Sequence, residues 1–383
     1  MKPLLYLKDE QCCNCKACAN ICPKNAIEFK IDKLGFEYPF VNESVCVECG
    51  QCVRVCVFNS DKGGNVPIEG YAVRHKEFNI CRRSSSGGMF TAIAEYIISK
   101  GGIVYGCAFN EHMTPYHIGV DTFEGLGKLR GSKYVQSDMG NTYRSIRGNL
   151  GKGKLVLFTG TPCQVAALYS FLGKMDTTNL FTVDLVCHGV PSVDAFKKYL
   201  SYLEKKFSRK ITSFRFRDKK YEWERPSISV GFDNKYKRWF ANEDVYYENF
   251  RKSLLQRPSC FFCRYANEKR FGDFTIGDFW GYQKGNLSMS KKEGISCCLI
   301  NTPKAKSIFE FLKINYEKVN TSIIIQGNTA LRKCYSKSSD WEKLINEISE
   351  NGFDRIAYEF NNTHRMIHIK SFIKKIVLRR LHK

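Results

Sequence analysis

CCNCKACANICPKNAIEFKIDKLGFEYPFVNESVCVECGQCVRVC, residues 12–56, carries the same cysteine run twice. Cys12, Cys15, Cys18 and Cys22 follow C-x2-C-x2-C-x3-C, with Pro23 next, and Cys46, Cys49, Cys52 and Cys56 repeat the spacing. Three cysteines at two-residue gaps wrap a tight loop around one corner of a 4Fe–4S cubane, and the fourth closes the cluster of the other run. The expected ligand sets are Cys12, Cys15, Cys18 and Cys56 for one cluster, and Cys46, Cys49, Cys52 and Cys22 for the other. Zinc is the competing reading. It favours two separated ligand pairs and four ligands per ion, which this spacing does not offer. Val57 stands where a proline usually follows the fourth cysteine; that proline shapes a turn and binds no iron. Cys13 disturbs no spacing and is read as a bystander. Between the runs, AIEFKIDKLGFEYPFV predicts two short strands about Gly35. Residues 1–60 are therefore expected to form an α+β ferredoxin-like dicluster module.

The chain of 383 residues is long enough for two or three domains. It has 18 cysteines, and its start, MKPLLYLKDEQCC, lacks the apolar core of a secretory signal. Thiolate–metal chemistry in a reducing cytoplasm is the expectation, rather than a disulfide framework. No apolar run approaches the roughly 20 residues that cross a bilayer. The formal charge of +22 favours an acidic electron donor, an anionic membrane face or an anionic substrate. No zinc-finger, helix-turn-helix or RNA-recognition motif is present, so nucleic acid is not an expected partner.

Residues 61–80 are polar and glycine-containing and read as a linker. From 81 to 320 the pattern alternates. SSSGGMFTAIAEYIISKGG opens with small residues and continues as an amphipathic helix, and GIVYGCAF then reads as a buried strand. KLVLFTGTPCQVAALYSFLG and LFTVDLVCHGVPSVDAFKKYLSYLEKKF each read as strand, turn, helix, and ISCCLINTPKAKSIFEFLKINYEKV as one more such unit. Alternation of this kind predicts an α/β sheet covered by helices, with ligands at the carboxyl ends of strands, where Thr161, Pro162, Cys163, Cys187 and His188 fall. The aromatic, alternating stretch at 211–250 predicts antiparallel strands or a covering insertion. Residues 321–383 are expected to be helical, ending in the basic HRMIHIKSFIKKIVLRRLHK. As an amphipathic helix this tail suits peripheral contact at the inner face of a membrane.

GTPCQ at 160–164, CHGVPS at 187–192 and CFFCRYANEKRFGDFTIGDFWG at 260–281, with SSSGG and RGSKY at 130–134, resemble the family of coenzyme F-420 hydrogenase/dehydrogenase beta subunits. The resemblance runs from about 75 to about 310. It implies an α/β flavoprotein domain holding FAD beside a further 4Fe–4S cluster, on Cys163, Cys187, Cys260 and Cys263. The residues themselves agree that Cys163 and Cys187 end neighbouring strands and that Cys260 and Cys263 form a hook; a structural zinc on the same four stays open on spacing alone. By the same resemblance Ser85, Ser86, Gly87 and Gly88 would approach a flavin phosphate at a helix start. Lys133 would supply a cation, Tyr134 a stacking ring and Gln164 a further contact. The serines read equally as an ordinary N-cap. The implied function is an iron–sulfur flavoprotein oxidoreductase. A ferredoxin or another low-potential donor feeds it, and FAD passes electrons to an acceptor that is deazaflavin F-420 or a polysaccharide-pathway substrate. A non-catalytic electron-transfer component serving a separate enzyme is the alternative. No catalytic acid or base is legible.

Overall fold

The computed structural model describes residues 4–59, 63–233 and 235–363. The basic tail from 364 onward lies outside the described residues. Among the described residues no helix is long and apolar enough to cross a membrane.

In the N-terminal module β1 (Ile27–Ile31) pairs antiparallel with β2 (Glu37–Val41), Ile27 facing Val41. Gly35, at φ +82°, takes the left-handed turn between them. Short helices Ala17–Ile21 and Gln51–Arg54 carry the middle of each cysteine run.

The larger domain is built on an eight-stranded sheet. Its strands are β3 (Glu69–His75), β4 (Ile103–Phe109), β5 (Pro115–Val120), β6 (Val156–Gly160), β7 (Leu180–Leu185), β11 (Phe274–Asp278), β12 (Ser296–Ile300) and β13 (Ile314–Val319). The order is β13-β3-β12-β11-β7-β6-β4-β5. Strands β4, β6, β7 and β11 run parallel, and the remaining contacts are antiparallel. The two expected strand–helix units are present: β6 leads into the helix Pro162–Leu172, and β7 into Val193–Phe207. The third is a strand–helix unit of a different kind. β12 reverses direction against both its neighbours, so it caps the parallel core rather than extending it.

Residues 61–80 do not behave as a plain linker. They contain β3, which lies inside the sheet between β12 and β13, with Ala72 and Val73 fully buried. Between polar flanks the short apolar run Tyr71–Val73 lies in a strand whose register is fixed by its two neighbours.

One face of the sheet is covered by the helix Met89–Ser99, whose Ala92, Ile93 and Ile97 pack on Val104, Leu157 and Val73. The other carries Thr142–Gly151 and Pro162–Leu172. The stretch at 211–250 forms a three-stranded antiparallel sheet of β8 (Ser213–Asp218), β9 (Ser227–Phe232) and β10 (Lys235–Phe240). Its core extends to Trp341 of the helix Asp340–Asn351 and to Phe36 and Tyr38 of the N-terminal hairpin. The module is thus part of the same hydrophobic interior. Phe36 is fully buried and stacks on Trp341 with ring centroids 6.2 Å apart, a burial that stabilises by about 1.5–3 kcal/mol.

Candidate functional site

Two arginines fix how the module sits. Arg257, fully buried, donates from Nε to the Cys12 carbonyl at 2.7 Å, from Nη2 to that of Glu37 at 2.7 Å and from Nη1 to Gln136 Oε1 at 3.2 Å. Its plane lies 4.1 Å from the Tyr38 ring centroid. Arg144 donates to the carbonyls of Asn20 at 2.6 Å, Ala19 at 3.1 Å and Cys22 at 2.7 Å, so a cation meets the open carboxyl end of the Ala17–Ile21 helix. Lys16 pairs with Glu37 at 3.0 Å and Asp138 at 2.8 Å.

The eight cysteines singled out by spacing and the four implied by the resemblance gather in three places. Cys12, Cys15, Cys18 and Cys56 line one cavity inside the module. Cys22, Cys46, Cys49 and Cys52 line a second, toward its outer end, where Cys49 is exposed. Cys163, Cys187, Cys260 and Cys263 line a third of about 50 Å³ in the larger domain. Burial pushes the thiols of Cys12 and Cys263 up to about 11 and that of Cys187 up to about 12; bound iron would reverse that preference and hold them as thiolates. Among the described residues no three His, Cys, Asp or Glu side chains close to the spacing of a single-ion site. Cys13 and Cys52 also line the first cavity, and Cys13 and Cys334 the third; thiols set this far apart suit a cubane, which offers a separate iron to each of four ligands, better than one zinc ion.

The third set is rigidly framed. Cys163 follows the N-cap of its helix: Thr161 and Gln164 close a capping box, with the Thr161 N–H donating to Gln164 Oε1 at 2.9 Å. Cys187 leaves β7 just beyond Asp184. That carboxylate is fully buried against Arg270 at 2.8 Å and also accepts from Thr275 Oγ1 and the Gly272 N–H. The ion pair ties β7 to the loop that carries Cys260 and Cys263.

Next to this set opens a larger cavity of about 260 Å³, near the small end of ligand pockets. Cys163 and Cys187 line both cavities. Ser85, Ser86, Gly88, Lys133, Tyr134 and Gln164 all line the larger one. Their side chains are more committed to the protein than the sequence suggests. Ser85 Oγ accepts the Ser132 N–H at 2.8 Å, joining the SSSGG and RGSKY loops, and Ser86 Oγ donates to the Ile295 carbonyl at 2.8 Å. The Lys133 ammonium donates to the carbonyls of Lys128, Leu129 and Arg130 at 3.2, 3.0 and 3.2 Å, and burial pulls its pKa down to about 8. The cation expected to face a ligand instead caps a helix end. The Tyr134 ring stacks on Phe250 at 4.6 Å, and Gln164 Nε2 donates to Ser137 at 3.1 Å. Gly87 does not reach the cavity. Its N–H donates to Ser296 Oγ at 2.8 Å, and a β-carbon there would collide with the Val73 carbonyl. It is a packing glycine. Gly88, at φ +92°, turns the chain into the helix Met89–Ser99, whose first residues face the cavity.

Sequence reasoning missed His117 and Thr159. Both line the cavity, and His117 Nδ1 and Thr159 Oγ1 have no hydrogen-bond partner among the described residues. His117 Nε2 lies 3.1 Å from the Thr159 carbonyl, and burial pulls the imidazole down to about 4, so it is neutral at pH 7. A neutral ring that donates from Nε2 leaves Nδ1 as an acceptor for a ligand. A lone histidine on an edge strand carries no motif that would have flagged it. His188 is satisfied by Tyr335, 2.8 Å from its Nδ1. Asp278 is paired with Arg217 at 2.7 Å and accepts from Trp223 Nε1 at 2.8 Å.

Comparison with known proteins matches two separate stretches of the chain. Residues 11–60 match the 4Fe-4S dicluster domain, and residues 153–322 match the C terminus of the coenzyme F420 hydrogenase/dehydrogenase beta subunit. The ferredoxin-type protein NapF of Haemophilus influenzae is 44% identical over 46 residues, covering 12% of this chain and 26% of that protein. One of the subunits of the F(420)H(2) dehydrogenase of Methanosarcina mazei is 21% identical over 200 residues, covering 47% of this chain and 54% of that one. The chain thus spans about half, or less, of these curated relatives. A chain of the F420-reducing NiFe hydrogenase complex of Methanosarcina barkeri superposes with a TM-score of 0.45 at 16% identity, covering 78% of this chain and 94% of that one.

Proposed function

Because residues 153–322 belong to the family of coenzyme F420 hydrogenase/dehydrogenase beta subunits and residues 11–60 to the 4Fe-4S dicluster domains, we propose that this chain is an electron-transferring oxidoreductase component with three 4Fe–4S clusters and FAD. Electrons from a low-potential donor, such as a ferredoxin, enter at the outer set with its exposed Cys49. They pass to the set of Cys12, Cys15, Cys18 and Cys56, and then to that of Cys163, Cys187, Cys260 and Cys263. The observation that carries this reading is that Cys163 and Cys187 wall both the third thiol cavity and the larger cavity beside it. A ligand seated there would touch the cluster's own ligands.

Bound FAD supplies the change from one-electron to two-electron transfer. The chain positions it and keeps water from it. The loops of Ser85 and Ser132, locked together, and the N-terminus of Met89–Ser99 offer the phosphate end of the cavity. His117 and Thr159 offer unpaired polar atoms to the flavin's own donors and acceptors. Deazaflavin F420 is one acceptor that fits; a small hydride acceptor of another pathway is the other. That the Methanosarcina mazei relative is one component of a larger dehydrogenase favours a second reading, in which the chain passes electrons to a separate enzyme and turns over no substrate alone.

The test is anaerobic purification with iron, sulfide and flavin counted per chain. About twelve irons with one FAD support the reading. About eight irons without flavin remove both the third cluster and the flavin from it.

A further inference from the structure

Cys13 belongs to neither ligand run, yet among the described residues it alone lines all three inner cavities: that of Cys12, Cys15, Cys18 and Cys56, that of Cys163, Cys187, Cys260 and Cys263, and the larger cavity beside the latter. Its thiol lies where the cavity walled by Cys15 of the module and the cavity walled by Cys163 of the larger domain both open onto it. The segment that carries it is pinned from outside. Gln136 Nε2 donates to the Cys13 carbonyl at 2.9 Å, Gln136 Oε1 accepts from Arg257, and Arg257 donates to the carbonyl of Cys12. The place of the thiol is therefore set by the joint between the two domains.

We propose that the Cys13 S–H is the coupling group between the inner cluster of the module and the cluster of the larger domain. Placed between the two, it donates its one S–H hydrogen bond to a ligand sulfur of either cluster and shortens the path between them. The inference rests on the three-cluster reading and extends it to a residue that reading does not use. A hydrogen bond to a cluster sulfur favours the reduced, more negative state and so raises the reduction potential. In the transfer itself one electron leaves the module cluster, which is oxidised, and enters the second cluster, which is reduced. Cys13 keeps its proton and is neither oxidised nor reduced.

The experiment compares the anaerobic full-length protein with Cys13→Ala and Cys13→Ser. It uses iron and sulfide counts, potentiometric titration followed by electron paramagnetic resonance, and stopped-flow reduction by dithionite. Expected are an unchanged count of about twelve irons in all three, a lower potential for one or both flanking clusters in C13A, and several-fold slower reduction of the flavin in C13A. C13S retains a hydroxyl donor and should lie near the wild type, which a simple packing role for the sulfur would not produce. If C13A keeps its iron, its potentials and its rate, the coupling role is overturned while the clusters stand. If C13A loses about four irons, Cys13 is a ligand and the proposal is equally overturned. About eight irons in the wild type would instead remove the reading beneath it.

Discussion

The two glycines of SSSGG, adjacent in sequence, hold the chain for different reasons, and substitution should separate them. Gly87 lies against the Val73 carbonyl and the Ser296 backbone, so Gly87→Ala forces a shift of β3 or β12. That variant should lose thermal stability and soluble yield whether or not it binds flavin. At Gly88 the strain is conformational, a left-handed φ of +92° that costs an alanine about 1 kcal/mol. Gly88→Ala should fold, with an unfolding temperature within a few degrees of the wild type, and retain less flavin on gel filtration. Flavin retention equal to the wild type would take the helix start out of the binding site. His117 gives the residue scale its pH dependence. Its folded pKa, about 4, lies below the ordinary 6.5 because burial penalises the charged ring. The unfolded chain therefore takes up the proton more readily. The associated stability is full above pH 6.5 and is lost as pH falls toward 4, by up to about 3 kcal/mol. The denaturant midpoint of the wild type should fall more steeply between pH 7 and 5 than that of His117→Gln. Parallel slopes would show that the ring is not a buried neutral group.

At the scale of elements, the contact between the hairpin β1–β2 and the larger domain depends on one buried guanidinium without a carboxylate partner. Arg257 is neutralised by carbonyl dipoles and by the Tyr38 ring. Arg257→Met keeps much of the volume but leaves the Cys12 and Glu37 carbonyls unpaired in the interior, at about 2–4 kcal/mol. Limited proteolysis should then release the fragment with the twin cysteine runs faster than in the wild type; an unchanged cleavage rate would mean that Arg144 and the Phe36–Trp341 stack suffice alone. The strand–helix units at β6 and β7 are legible in the sequence because buried parallel strands read as continuous apolar runs. β3 is not. It lies between polar flanks, and its partners β12 and β13 are more than 200 residues away, so no local pattern marks it. The reversed direction of β12 is likewise a tertiary fact that strand–helix alternation cannot encode.

At the scale of the molecule, the eight N-terminal cysteines stand out in the sequence by their repeated local spacing, whereas Cys163, Cys187, Cys260 and Cys263 are singled out only by the family resemblance; the eight line two cavities in the structure and the four a third. The line those sets form was not legible. It depends on Arg257, Arg144 and Gln136 turning the module so that Cys13 lines the same cavity as Cys163, and these residues are far apart in sequence and carry no motif. The contacts expected of Lys133 also failed to read through, since a lysine near a cavity is indistinguishable in sequence from one that caps a helix end.

The exposed Cys49 at the outer end of that line has a consequence for damage. If the proposed outer cluster is bound there, dissolved oxygen would meet it before it could reach the two inner sets. Iron would be stripped there first, cutting the supply of electrons while the inner centres and the flavin pocket stay intact. Under the proposed arrangement the molecule would fail as a blown fuse does: it would stop conducting at its rim, leaving the interior oxidised and idle rather than leaking electrons to oxygen.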